Sequence, residues 1–263
     1  MTMTMFLPAT LLAVLMIVIF PQAHAEPVIA QEYPISNVIE VSAGGSGVLE
    51  IVQGDSETLR VEATSDVMKR VKVDLTKGKL SLGVKDANGN FFHWFDRNAD
   101  QVKFILQVKN IKGLQLIGAV QATIATYNGE TLWVNNSGAA KAHFAELTVA
   151  ELNIESSGAA NVAIQTLNSQ KVVIDLSGAS NLEIKKSGAV QQLKLDASGA
   201  SNYRGKPLFV ANAHANASGA STIEIKVSET LNAVASGASN INYYGSAKVS
   251  IDASGASHIN GRQ

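Results

Sequence analysis

Seven serines share one setting and invite a chemical reading. Ser137, Ser157, Ser177, Ser198, Ser218, Ser236 and Ser254 each open a Ser-Gly-Ala triplet, at steps of 20, 20, 21, 20, 18 and 18 residues. A serine nucleophile needs a histidine to take its proton and a strained Gly-x-Ser-x-Gly turn between a strand and a helix. None of the seven has a histidine at a repeating distance. Ser46, in GGSGV, fails at the last glycine of that motif, and no helical pattern follows it. Serine hydrolysis is not expected, and the chain is read as a non-enzyme without catalytic residues or a cofactor.

Metal chemistry has a better candidate. There is no cysteine, so thiolate sites, iron–sulfur clusters and disulfides are excluded together. His93, His143, His214 and His258 fall at different phases of the repeat. Carboxylates do share a phase: Glu155, Asp175, Asp196 and Asp252 each stand two residues before a triplet serine, with Asn216 and Val234 interrupting the series. Stacked one repeat apart they would repel one another, and a hard cation such as Ca²⁺ would relieve this. Such carboxylates could equally cleave an acidic polysaccharide, or form a simple solvated ladder. Glu155, Asp175 and Asp196 are kept as the metal candidates. A third feature is DANGNFFHWFDRNAD, residues 86–100, with Phe91, Phe92, Trp94 and Phe95 packed into five positions. Neighbours in a strand face opposite ways, so alternation alone cannot bury all four. The segment is either a plug over an open end or an exposed recognition loop.

These residues are positioned by the repeat. Five and three places before the serines lie apolar pairs, Leu132 and Val134, Leu152 and Ile154, Val172 and Ile174, Leu193 and Leu195, with Trp133, Asn153, Val173 and Lys194 between them. In the later turns the pairs are Ala213 and Ala215, Leu231 and Ala233, and Val249 and Ile251. After the triplet comes a polar residue and then an apolar one, as in Asn161-Val162 and Asn181-Leu182. Two strands therefore meet at each triplet, in a coil of about 20 residues that stacks on the next at roughly 4.8 Å. Gly138, Gly158, Gly178, Gly199, Gly219, Gly237 and Gly255 mark the corners, where backbones approach closely and only small residues fit. A degenerate copy, LQLIGAVQATI, places Ile117 20 residues before Ser137. The prediction is an all-β chain whose residues 104–263 form a single-stranded parallel β-helix of seven or eight coils, preceded by a smaller β region over 26–103. Strand-like segments and turns at Gly54-Asp55 and Lys77-Gly78 build that region, SDVMKRV could hold a helical turn, and the region would cap the mouth of the solenoid.

Residues 1–25 read as a secretion signal: an apolar run from Phe6 to Phe20, then PQAHA with an Ala-x-Ala cleavage pattern after Ala25. MTMTM lacks the usual leading cation, so an uncleaved anchor is the alternative. With no cysteine after the cleavage point, a lipoprotein is not expected, and the product is placed in the periplasm or outside the cell. The chain carries 21 basic and 22 acidic residues, with no basic stripe of the sort a nucleic acid would demand.

ISNVIEVSAGGSGVLEIVQGDSETLRVEATSDVMKRVKVDLTKGKLSLGVK, together with the SGAS corners, resembles the bacterial putative auto-transporter adhesin, head GIN domain family, over about residues 33 to 260. The resemblance implies a right-handed β-helix on an envelope or secreted protein of unknown biochemical role; the two final steps of 18 leave a left-handed form as the alternative. Because the corners continue to Ser254, the expectation is a head without its own translocator barrel. Three functional readings stay open: a ligand-binding adhesin for an envelope glycan or surface protein, a polysaccharide-active or cation-binding protein using the carboxylate column, and a scaffold that self-associates as a homo-oligomer through the final coil near Ile259.

Overall fold

The computed structural model describes residues 27–85 and 102–262. The expected signal segment, residues 1–25, and the aromatic cluster Phe91, Phe92, Trp94 and Phe95 lie outside the described residues. Six strands stack in parallel along most of the chain: β7 (Gly113–Gly138), β8 (Lys141–Ser156), β9 (Asn161–Leu176), β10 (Asn181–Ala197), β11 (Asn202–Ala217) and β12 (Thr222–Ala235). The last turns continue as β13 (Asn240–Tyr244), β14 (Lys248–Ala253) and β15 (His258–Arg262). Strands β7 to β12 each run on to one of the seven Ser-Gly-Ala elbows, and β10 carries a further Ser-Gly-Ala copy, residues 187–189, within the strand. The result is a β-solenoid of about 7 turns.

The register shows why the sequence repeats. Leu152 pairs with Val172, Val172 with Leu193 and Leu193 with Ala213, so inward columns of apolar side chains run the length of the stack. Leu152, Ile154, Val172, Ile174, Leu193 and Leu195 are all buried. At the elbows, Gly138, Gly158, Gly178, Gly199, Gly219, Gly237 and Gly255 have φ between +70° and +79°, a region that L side chains avoid. Each glycine carbonyl accepts a hydrogen bond from the next elbow's alanine, as in Ala179 N to Gly158 O and Ala200 N to Gly178 O, both 2.7 Å. A Cβ on Gly199 would lie 2.6 Å from Gly178 O. Sterics and conformation thus demand glycine twice over.

The stack starts earlier than residue 104. β2 (Glu40–Gln53) pairs in parallel with β7 from Glu40↔Gly113 to Ile51↔Ile124, and its Gly45 sits under Gly118, both at positive φ. β2 is therefore a full coil, separated in sequence from the next by the cap strands. On its outer side lie β5 (Lys79–Val84), against its first half, and β6 (Lys103–Val108), against its second. Antiparallel strands finish this end: β4 (Val71–Thr76) on β5, β3 (Thr58–Thr64) on β6, and β1 (Val28–Tyr33) on β3. Lys77 (φ +51°) and Gly78 (φ +80°) form the tight turn of the β4–β5 hairpin. The helical turn is α1 (Ser65–Met68), whose Val67 and Met68 pack into the core.

Inside the stack, volume is balanced within a coil. Gly205 stands where neighbouring coils carry Ile184 and Ile225, and the Tyr203 ring of the same coil occupies the space its side chain would fill. Tyr243 and Gly261 repeat the exchange between adjacent coils. Tyr203 is wholly buried and its hydroxyl has no partner among the described residues.

Three substitutions test this packing. Gly199→Ala should cost about 2–4 kcal/mol through the left-handed φ and the carbonyl clash. Ser157→Ala, at an exposed elbow position with no hydrogen bond to lose, should stay within about 0.5 kcal/mol in the same thermal melts. Tyr203→Phe should raise stability by about 1 kcal/mol at neutral pH by removing an unpaired buried hydroxyl. Burial also holds the Tyr203 phenol protonated to higher pH than in the unfolded chain. Its contribution is complete below the ordinary phenol pKa of about 10 and is lost as pH rises above it, so the variant should unfold less readily in alkali than the parent.

Candidate functional site

The stacking that buries the inward columns also lines up the outward ones. Asn135, Glu155, Asp175, Asp196, Asn216, Val234 and Asp252 occupy one column, each paired with the next. The carboxylate series anticipated from phase alone is therefore a physical line on the surface. Its ends are tempered: the Asn135 amide donates to Glu155 at 3.3 Å, the Asn216 amide donates to Asp196 at 3.3 Å, and Lys194 Nζ lies 3.3 Å from the other Asp196 oxygen. Asp175, in the middle, is exposed and has no hydrogen-bond or ion-pair partner among the described residues. Among those residues no three His, Asp or Glu side chains gather around one point. The three carboxylates form a line rather than a cage.

Beside the elbows runs a second ladder. Asn181 donates to Asn161 at 3.3 Å and Asn202 donates to Asn181 at 3.0 Å, while Asn161 also reaches the Ala159 carbonyl. The next outward column on that face holds His143, Ala163, Glu183, Arg204 and Glu224. Ala163 is too small to fill its place, which opens a depression of about 420 Å³ lined by Lys141, His143, Asn161, Asn181, Glu183 and Arg204. His214 stands in a different column, paired with Lys194 and Asn232, and His258 in a third, paired with Asn240. His143, His214 and His258 are not brought together.

Three features were not read from the sequence. The final serine of SGAS turns inward: Ser180, Ser201, Ser221 and Ser239 are fully buried. Ser180 Oγ reaches the carbonyl of Ser177 at 2.8 Å in its own elbow and that of Ser156 at 3.2 Å in the coil before. The alternation of Ala140 and Ala160 with serine at this place was the available signal. The second missed feature is the elbow in VSAGGSGVLEI, where apolar Val41 and Ala43 precede Gly45 as Leu114 and Leu116 precede Gly118. The third is a groove of about 610 Å³ in the cap, lined by Tyr33, Pro34, Ile35, Val52 and Ile105 with Glu57, Arg60 and Gln107 at its polar margin. It lies between strands remote in sequence, and no local pattern announces it.

A rigid parallel solenoid with uniform outward ladders, closed at one end by antiparallel strands, defines the class: a repetitive β-helix whose surface is a set of in-register columns. Residues 38–247 match the family described as putative auto-transporter adhesin, head GIN domain, and the chain belongs to it. A putative adhesin from Parabacteroides merdae has a similar fold, with a TM-score of 0.80 at 16% identity, covering 90% of this chain and 96% of that one. A putative adhesin from Parabacteroides distasonis gives 0.79 at 18%, covering 89% and 98%. A putative lipid binding protein from the same species gives 0.79 at 20%, covering 90% and 97%. No curated protein matches the chain.

The acidic column makes a specific prediction. Like charges in directly adjacent strands destabilise a sheet by a few tenths to about 1 kcal/mol. Asp175→Asn should therefore raise the melting temperature at low salt, with the gain shrinking as salt is added. If Ca²⁺ occupies the column, millimolar Ca²⁺ should raise the parent's melting temperature and leave Asp175→Asn unmoved.

Proposed function

We propose that this is an exported, non-enzymatic, adhesin-like protein that binds through the outward flank of its solenoid. The observation that carries this reading is the register itself. Outward side chains recur at one-coil spacing from β8 to β15, so the same weak contact can be made several times along a rigid edge, and such contacts add up. The family description and the adhesin relatives support the same role. The apolar run Phe6–Phe20 followed by its Ala-x-Ala pattern supports export.

A second reading has one observation of its own. The cap groove offers an apolar lining of a size that takes an acyl chain, and one relative is described as a putative lipid binding protein. In that reading the cap, not the flank, holds the ligand.

Beads coated with the protein should retain bacterial envelope material without releasing soluble oligosaccharide. Product release would instead favour a polysaccharide-active enzyme built on Glu155, Asp175 and Asp196. Failure to retain anything, with concentration-dependent oligomers, would favour self-association through the last coil, where Ile251 is 51% exposed. Val52→Asp with Ile105→Asp should abolish retention only if the cap groove is the binding site.

A further inference from the structure

We infer that one edge of the solenoid carries a binding line for an acidic polysaccharide; this rests on the adhesin-like reading above and gives it a ligand class. Eight residues past the elbow serines of five successive coils stand Lys185, Lys206, Lys226, Tyr244 and Arg262. The register places Lys226 beside Tyr244 and Tyr244 beside Arg262, while Lys206 and Lys226 directly follow the last paired positions of their coils, Gly205↔Ile225. Four of these five coils, stacked at about 4.8 Å, thus carry a cation at this phase, and Tyr244 stands between Lys226 and Arg262.

Such a column should be costly, because like charges in adjacent strands repel. The neighbouring columns avoid that cost. Glu183, Arg204 and Glu224 alternate in sign, and the asparagine ladder is neutral. On the edge only Lys185 has a carboxylate within reach, Glu183 at 4.0 Å. Among the described residues none lies within ion-pair distance of Lys206, Lys226 or Arg262. The charges are held by rings instead. Lys226 Nζ sits 4.1 Å from the Phe209 ring centre and Lys206 Nζ sits 4.3 Å from that of Tyr244. Arg262 Nε donates to the Asn242 side chain at 3.3 Å. These contacts order the ammonium groups before any ligand arrives, which lowers the entropy cost of binding.

Phe209 is 55% exposed, a large ring on the surface beside uncompensated positive charge. In a chain of net charge −1, that pairing is local, not a by-product of overall basicity. Acidic sugars match both halves of it: carboxylates pair with the ammonium groups, and the C–H faces of the pyranose rings pack on Phe209 and Tyr244. A linear polymer also matches the shape, since Lys226, Tyr244 and Arg262 follow one another in register along the solenoid axis. A membrane or a nucleic-acid duplex would extend sideways over Glu183 and Glu224, which would meet its phosphates.

Binding to immobilised polygalacturonate, with dextran as the neutral control, tests the inference. The protein should bind polygalacturonate and not dextran, less tightly as salt rises. Lys206→Gln with Lys226→Gln should weaken binding by about five- to tenfold, and Phe209→Ala should weaken it independently. Lys109→Gln with Lys112→Gln, the same charge change away from the line, should leave binding within about twofold. Equal loss in that control, or tighter binding of single-stranded DNA or anionic phospholipid vesicles through the same residues, would overturn the inference. So would absence of polygalacturonate binding by a protein whose beads still retain envelope material, an outcome that leaves the adhesin-like reading standing. Loss of both would remove that reading as well.

Discussion

Where one glycine elbow lies on the next, the backbones meet with no side chain between them, and the rest of the molecule is arranged around that contact. The carbonyl of each elbow glycine accepts the alanine N–H one coil along at 2.7 to 2.8 Å, from Gly118 to Gly237. A hydrogen bond this regular cannot slip by one residue without turning every inward side chain outward. The elbow therefore acts as a register pin. Coils of 18, 20 and 21 residues can share one stack because their extra length is absorbed elsewhere. The pairing breaks between Ile184 and Ser187 and again between Gly205 and Val210, always on the side away from the elbow.

Pinned register has a cost inside the tube. A column of identical residues has no freedom to interdigitate as a two-layer core does, so misfits must be met in place. Tyr203 fills the space above Gly205, Tyr243 that above Gly261, and on the outer surface Trp133 lies over Gly113. The buried serines solve a polar version of the same problem, since their hydroxyls reach elbow carbonyls that would otherwise be left short of donors. Tyr203 marks the limit of this economy. Its ring is needed for volume and its hydroxyl comes along without a partner.

These constraints explain what the sequence could and could not disclose. The elbows from Gly138 to Gly255, the apolar columns beside them and the carboxylate line were legible because each recurs at nearly constant spacing, and periodicity is a local property of the chain. The coil formed by β2 was not, because the cap strands and residues 86–101 lie between it and Gly118, so no period links Gly45 to its neighbour in space. The cap groove was invisible for the same reason: Ile35, Val52 and Ile105 converge only through the pairing of strands distant in sequence. The lysine edge lay within the repeat but beyond the conserved phase of the elbow, where one coil has Tyr244 in place of a cation. Its meaning depends on rings, Phe209 and Tyr244, that only the fold brings to the ammonium groups.

A solenoid makes columns whether or not they are wanted, so each outward column must either neutralise itself or tolerate repulsion. The Asn161–Asn181–Asn202 ladder neutralises itself by hydrogen bonds between amides. The Glu183–Arg204–Glu224 column does so by alternating charge. The acidic line goes part of the way, with Asn135, Asn216 and Lys194 tempering its ends and leaving Asp175 without a partner. The edge from Lys185 to Arg262 carries a cation in four of five coils, and there Lys206 and Lys226 lie over the rings of Tyr244 and Phe209. Self-neutralised columns have little left to offer a charged partner. The columns that carry residual repulsion are the ones in which binding an opposite charge would also stabilise the fold, so ligand affinity and thermal stability should be coupled along those two lines and nowhere else on the flank.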